Sequence, residues 1–131
     1  MKRSEALTPL SHEHHHALVI SKRLQDAGKK GPEVLIAYWQ EVQAELELEL
    51  LQHFEEEEAG FGDLLTGELQ AQFLADHKQL RTLLKTQNPE DILQFALQLK
   101  AHVRFEEREM FTWLESAYPE ALHERLARHS H

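Results

Sequence analysis

The sequence predicts an all-α fold, an antiparallel up-down-up-down four-helix bundle with a short extra C-terminal helix, on three observations. Proline and glycine divide the chain at intervals that suit helices. Between those breaks, apolar residues recur in steps of three and four. No stretch sustains the two-residue alternation of a strand. "ELELEL" at 45–50 has that period, but it lies in a long proline-free segment with helical spacing on both sides.

Taken in order, Thr8-Pro9 reads as an N-cap followed by proline at the first helical position, and Gly28 as the close of the first helix. Gly31-Pro32 opens a second helix that runs to Gly60. The glycine-rich "GFGDLLTG" then makes a connection, and a third helix is expected over 68–86. Asn88-Pro89 caps and starts a fourth, reaching about Leu114, and Pro119 begins a short amphipathic piece. With 131 residues, one domain is expected over 1–131, with a core at about 8–115 and a short helix and tail at 116–131. The terminal "RHSH" reads as a frayed tail.

Composition narrows the functional classes. Twenty-three acidic against 14 basic residues give a formal net charge of −9, which repels a phosphate backbone, so no nucleic-acid partner is expected. No apolar run is long enough to span a bilayer, so no membrane partner is expected either. The absence of cysteine removes thiolate nucleophiles, disulfides and iron–sulfur clusters. It also suits a reducing cytosol. "MKRSEALTPL" has no apolar signal-peptide core, so a cytoplasmic location is expected. Ten histidines are an excess that asks for a metal site or a pH switch.

The apolar stripes carry the chemistry. The second helix has Leu35, Trp39, Val42, Leu46 and Leu50, and the same steps continue to His53 and Glu57. The fourth has Ile92, Phe95 and Leu99, then His102 and Glu106, then Met110 and Trp113. In the third, Leu69 and Phe73 lead to His77, then Leu80 and Leu84; in the first, Leu10, His14, Ala17, Leu18 and Leu24 share a face. A single histidine on such a stripe is usually a satisfied core residue. A carboxylate there is different, because an unpaired buried charge costs several kcal/mol, and no lysine or arginine occupies a stripe position to pair with it. At about 1.5 Å rise per residue, the six side chains lie at similar depths and can converge towards one end of the bundle. Four imidazoles and two carboxylates suit iron, manganese or zinc. If both glutamates bridge, two ions share the site and keep positions open for oxygen-derived ligands.

The segments "LSHEHHHAL", "HFEEEE" (53–58), "DH" (76–77) and "HVRFEEREMF" (102–111) resemble the hemerythrin-like, or HHE cation-binding, family over about residues 8–115. The resemblance implies a non-haem di-iron centre, oxo- or hydroxo-bridged, with Glu57 and Glu106 as bridges and His14, His53, His77 and His102 as terminal ligands. It also implies a small gaseous or peroxide ligand: dioxygen, nitric oxide or peroxide. The roles it implies are sensing, iron handling or a stress response, with a protein partner for any sensor output and a monomeric or homodimeric state. Two departures point away from the family's invertebrate oxygen carriers and towards a bacterial-type subgroup. Phe73 stands where those carriers have a histidine four residues before His77, and the last carboxylate is a glutamate at a spacing of four rather than an aspartate at five.

Other readings remain at this level. In helix one the stripe favours His14, whereas His15, about 100° round, substitutes if the helix is rotated. "HEHHH" fits the His-Glu-x-x-His signature, with His12 and His16 as zinc ligands and Glu13 as the base of a mononuclear hydrolase. Glu13–His16 and Glu120–His123 fit the spacing of ferritin-like di-iron bundles. A metal-free structural or interaction bundle requires Glu57 and Glu106 to be exposed. Glu55, Glu56, Glu58, Glu107 and Glu109 read as solvated surface, and no dedicated catalytic proton donor is visible.

Overall fold

A computed structural model describes residues 3–126. Among them the chain is all-helical: α1 (Thr8–Lys30), α2 (Pro32–Phe61), a 3-10 turn (Gly62–Leu64), α3 (Gly67–Leu83), α4 (Pro89–Phe105), a π turn (Glu106–Met110), α5 (Phe111–Ala117) and α6 (Pro119–Leu126). The "RHSH" tail lies outside the described residues. None of the described helices is long and apolar enough to cross a membrane.

Several boundaries differ from the sequence reading, each for a local reason. Leu7 rather than Thr8 is the N-cap of α1, and Thr8 Oγ1 donates to Ser4 O at 2.8 Å. Gly28 lies inside α1, where the missing Cβ makes room for α4: a Cβ there would stand 2.6 Å from Leu93 Cδ2. The helix stops instead at Gly31, whose φ of 128° only glycine adopts without strain. The third helix ends at Leu83, three residues short of Thr86. Beyond it, Gln43 Nε2 donates to the Leu84 carbonyl at 2.8 Å, and Trp39 Nε1 donates to that of Thr86 at 2.9 Å. Asn88 caps α4 as expected, its side chain accepting from Glu90 N.

Side-chain contacts give the relative direction of three helix pairs, α1 with α4, α1 with α2 and α2 with α3, each of which runs in opposite directions. Arg3 meets Glu115, Ser11 meets Glu107, and Ser21 Oγ donates to Ala96 O at 2.6 Å, so α1 opposes α4 and its continuation. Glu13–His53 and His16–Glu49 set α1 against α2. Gln43–Leu84 and Arg81–Glu58 set α2 against α3, and Gln98 and His102 of α4 reach Asp76 of α3.

The core is divided. One apolar cluster contains Leu24, Trp39, Leu50, Phe54, Leu80, Phe95 and Leu99; a second contains Leu10, Phe61, Phe73, Met110, Phe111, Leu114, Leu122 and Leu126. Between them lies a layer of buried polar residues: His14, His53, Glu57, His77, His102 and Glu106.

The π turn moves the end of the fourth helical run round by one residue. The Phe111 amide bonds to Glu106 O, five residues back, so one residue more than an α-turn holds is accommodated. The carbonyl of Glu107 accepts instead from Arg3 Nη2 at 2.7 Å and Thr112 Oγ1 at 3.4 Å. Uninterrupted α periodicity puts Trp113 on the stripe; the structure buries Leu114 fully and leaves Trp113 half-buried. Leu114→Ala is therefore expected to lower the unfolding free energy by about 2–5 kcal/mol. Trp113→Ala is expected to cost less, an order that an unbroken α-helix reverses; chemical denaturation of the two variants decides.

Candidate metal centre

The steps of three and four that made the stripes also carry the six polar side chains into one layer, where all are 4% exposed or less. His14 is the helix-one histidine that is buried; His15 is exposed. Two donor groups emerge, His14–His53–Glu57–Glu106 and Glu57–His77–His102–Glu106, and within each the ligand atoms lie within 4.8 Å of one another. Each group can hold a metal ion, and the two share both carboxylates.

The atoms that meet are the Nε2 nitrogens and the carboxylate oxygens. Glu57 Oε2 is 3.2 Å from His53 Nε2 and 3.7 Å from His14 Nε2, and Glu57 Oε1 is 3.2 Å from His77 Nε2. Glu106 Oε1 is 2.8 Å from His14 Nε2, and Glu106 Oε2 is 3.2 Å from His102 Nε2 and 3.7 Å from His77 Nε2. The Nε2 atoms of His14 and His53 are 3.0 Å apart. Both oxygens of each glutamate, and the Nε2 atoms of His77 and His102, are buried without a partner in hydrogen-bond geometry. Orphaned polar atoms of this kind are rare in a folded chain. Here six of them face a common interior, and their chemistry, imidazole nitrogen with carboxylate oxygen, suits a transition-metal ion.

The opposite nitrogen of each of the four buried imidazoles is held by a carboxylate to which the sequence reading gave no such role. His14 Nδ1 meets Glu107 Oε2 at 2.6 Å, His53 Nδ1 meets Glu13 Oε1 at 2.6 Å, His77 Nδ1 meets Glu58 Oε2 at 2.7 Å, and His102 Nδ1 meets Asp76 Oδ2 at 2.9 Å. Glu58 and Glu107, expected at the surface, are only partly exposed. Glu58 is gripped by both guanidinium nitrogens of Arg81, and Glu107 also accepts from Ser11. With Nδ1–H donated to a carboxylate, each ring turns Nε2 towards the interior, which is how metal-ligating histidines are oriented. The signal was local. Each outer carboxylate is the chain neighbour of an inner residue, in Glu13-His14, Glu57-Glu58, Asp76-His77 and Glu106-Glu107. That pairing shows only once the facing helix is known.

Aromatic rings wall the layer. Phe54 and Phe73 flank His77 at centroid distances of 4.3 and 4.1 Å, and Phe111 stacks on His14 at 5.3 Å. Phe105 lies 6.4 Å from His102. On the α1–α2 side, a cleft of about 430 Å³ reaches His14, His53 and His102 over a floor that includes Ala17, Leu50 and Val103. The other sequence candidates do not assemble. His12 and His16 are exposed, and Glu13 is engaged with His53, so the His-Glu-x-x-His reading has no enclosed site. Glu120 and His123 are exposed on α6, which leaves the ferritin-like pairing without a buried partner. A scan of protein-family models and searches of curated proteins and of solved structures find no match to this chain.

Electrostatics follow from this geometry. Burial works against a charged imidazole, but the Glu57 charge and contact with Glu13 outweigh it and push His53 up to about 9. Against the same opposition, contact with Glu106 and Glu57 raises His77 to about 9, while the Glu106 charge and Asp76 raise His102 to about 10. His14 is raised as well, against burial, by Glu106 and Glu107. Burial and the Glu106 charge push Glu57 up, yet His53 and His14 hold it at about 2; Glu106 is held well below the carboxylate range, against burial, chiefly by His102.

The histidines' folded values exceed 6.5, so their contribution to metal-free stability is complete below pH 6.5 and is lost as pH rises through about 9 to 10. Glu57, lowered from 4.5 to about 2, contributes fully above pH 4.5 and loses that contribution as pH falls through about 2. Thermal melts of the chelator-treated chain are therefore expected to give a midpoint that declines steadily from pH 6.5 to pH 10. A flat profile would mean that the buried pairs do not form.

Proposed function

We propose that this chain is a hemerythrin-like protein of the bacterial type, an antiparallel four-helix bundle with a short C-terminal helix that holds two iron ions and binds dioxygen, nitric oxide or peroxide. The observation that carries the reading is the sharing of Glu57 and Glu106 between two His₂ donor groups, with all four carboxylate oxygens otherwise orphaned. The opposed directions of three contacting helix pairs support the bundle. Phe73 four residues before His77, and the Glu106 spacing, favour the bacterial-type subgroup over reversible oxygen transport.

In this reading His14 and His53 would hold one ion and His77 and His102 the other, and Glu57 and Glu106 would serve both. Iron bound there would supply ferrous–ferric chemistry towards a small ligand. Manganese and zinc suit the same donors. The residues around the centre do the rest. Glu13, Glu58, Asp76 and Glu107 fix the rings and aim Nε2 at the position a metal would take, where it would displace the Nε2 proton. Phe54, Phe73, Phe105 and Phe111 exclude water from the layer. The cleft gives a small molecule its approach to the His14–His53 side. The sequence offers no dedicated catalytic proton donor, so binding and sensing are favoured over catalysis, and a sensor output needs a protein partner. A cytoplasmic setting fits a cysteine-free chain that handles ferrous iron.

Elemental analysis after anaerobic loading with ferrous iron is the test, with two irons per chain expected and near-ultraviolet oxo-bridge absorption after oxidation. Glu57→Ala and His102→Ala are expected to lose most of the metal, whereas Glu55→Ala, at an exposed position, keeps it. Because metal selects the folded chain, loading also raises the melting temperature, and it does so more at pH 8 than at pH 6, where protons compete for the imidazoles. A chain that takes up no metal and melts at one temperature with or without iron sinks the proposal.

A further inference from the structure

The buried centre uses one histidine of the "HEHHH" run, His14, and leaves His12, His15 and His16 outside it. His12 and His16 lie one turn apart on the exposed side of α1, so their imidazoles project from the same face. Both line the mouth of the cleft whose inner end is formed by His14 and His53. Across the mouth, Glu49 of α2 brings Oε2 to 3.3 Å from His16 Nε2, and both side chains stay about half exposed, at 46% and 57%. The bare solvent edge of a helix does not call for this arrangement. An i, i+4 histidine pair with a facing carboxylate presents three donors at an opening, and that opening leads to three of the buried donors, His14, His53 and His102.

We propose that His12, His16 and Glu49 form an entry site for a divalent metal ion, where an incoming ion exchanges water for imidazole and carboxylate before passing to the buried donors. The proposal rests on the reading of the buried layer as a metal centre. The physical need is desolvation. Glu57 and Glu106 are 0% exposed, and the cleft floor includes Ala17, Leu46 and Leu50, so an ion that sheds its water there without replacement ligands meets a large barrier. Donors at the mouth let the exchange proceed in steps, and the Glu49 carboxylate raises the local cation concentration. Iron, cobalt and zinc accept imidazole and carboxylate alike. The ion also need not cross the apolar floor unaided: Glu13, which holds His53, lines the same cleft beside His12.

The test is the uptake rate of Co²⁺ alone by the full chain, followed anaerobically by stopped-flow visible absorption. Wild type is compared with the double variant His12→Ala/His16→Ala, with Glu49→Gln, and with His15→Ala as an exposed control that does not line the cleft. Alanine at exposed helical positions does not threaten folding. The double variant is expected to load about tenfold more slowly and to reach the wild-type final absorbance. Glu49→Gln is expected to fall between, and His15→Ala to match wild type. Equal rates in wild type and the double variant overturn the entry site while leaving the buried centre standing. So does a double variant that loads at the wild-type rate but to a lower final absorbance, since that makes the pair part of the final site. A wild-type chain that takes up no cobalt overturns both the entry site and the reading beneath it.

Discussion

Two carboxylates with no solvent exposure, Glu57 and Glu106, set the terms for the rest of the molecule. An ionised glutamate in an apolar interior is tolerated only with compensating charge or a metal. Here the compensation is four imidazoles drawn from α1, α2, α3 and α4, each with Nε2 within 3.2 Å of a glutamate oxygen. The layer therefore cuts the apolar core in two instead of sitting at its edge. The cluster around Trp39 and Phe95 packs on one side, and the cluster around Phe61 and Phe111 on the other. The aromatic rings next to the layer keep water out, which strengthens every electrostatic contact inside it.

The imidazoles would not hold this arrangement unaided. Each is steadied by a carboxylate of another helix, and the pattern closes on itself. Glu13 of α1 holds His53 of α2; Glu58 of α2 holds His77 of α3; Asp76 of α3 holds His102 of α4; and Glu107, just after α4, holds His14 of α1. A ring of short, charge-assisted contacts ties the helices together at one level and fixes the direction of all four Nε2 nitrogens. Because these outer carboxylates are partly exposed, their worth lies more in orientation than in stability.

The π turn at Glu106–Met110 belongs to the same design. His102 and Glu106 keep the spacing of four that lets both face inwards, and the widened turn begins at Glu106 itself. It places Glu107 against His14 and Ser11, and it frees the Glu107 carbonyl for Arg3, whose guanidinium also lies over Phe111. The segment before α1 is thereby tied to the helix end that carries the last inner carboxylate.

Periodicity and punctuation determined much of this without any coordinates. The helical class, the stripes, and the six polar residues that interrupt them at Glu57, Glu106 and the four histidines follow from 3.6 residues per turn, a property of the chain alone. The stripe already favoured His14 over His15. Other features were decided between helices, where a single sequence carries no pairing information. Glu58 and Glu107 looked like surface because they adjoin buried residues on a charged segment; only the facing His77 and His14 give them their partners. Gly28 looked like a stop until Leu93 was found against it. Trp113 gave way to Leu114 because one residue inserted into the turn shifts all that follows by about 100°, a local change that hydrogen bonding to Arg3 sustains from more than a hundred residues away. Side-chain period is written along the chain, whereas the identity of the group across the interface is a product of packing, and that is where the sequence reading stopped.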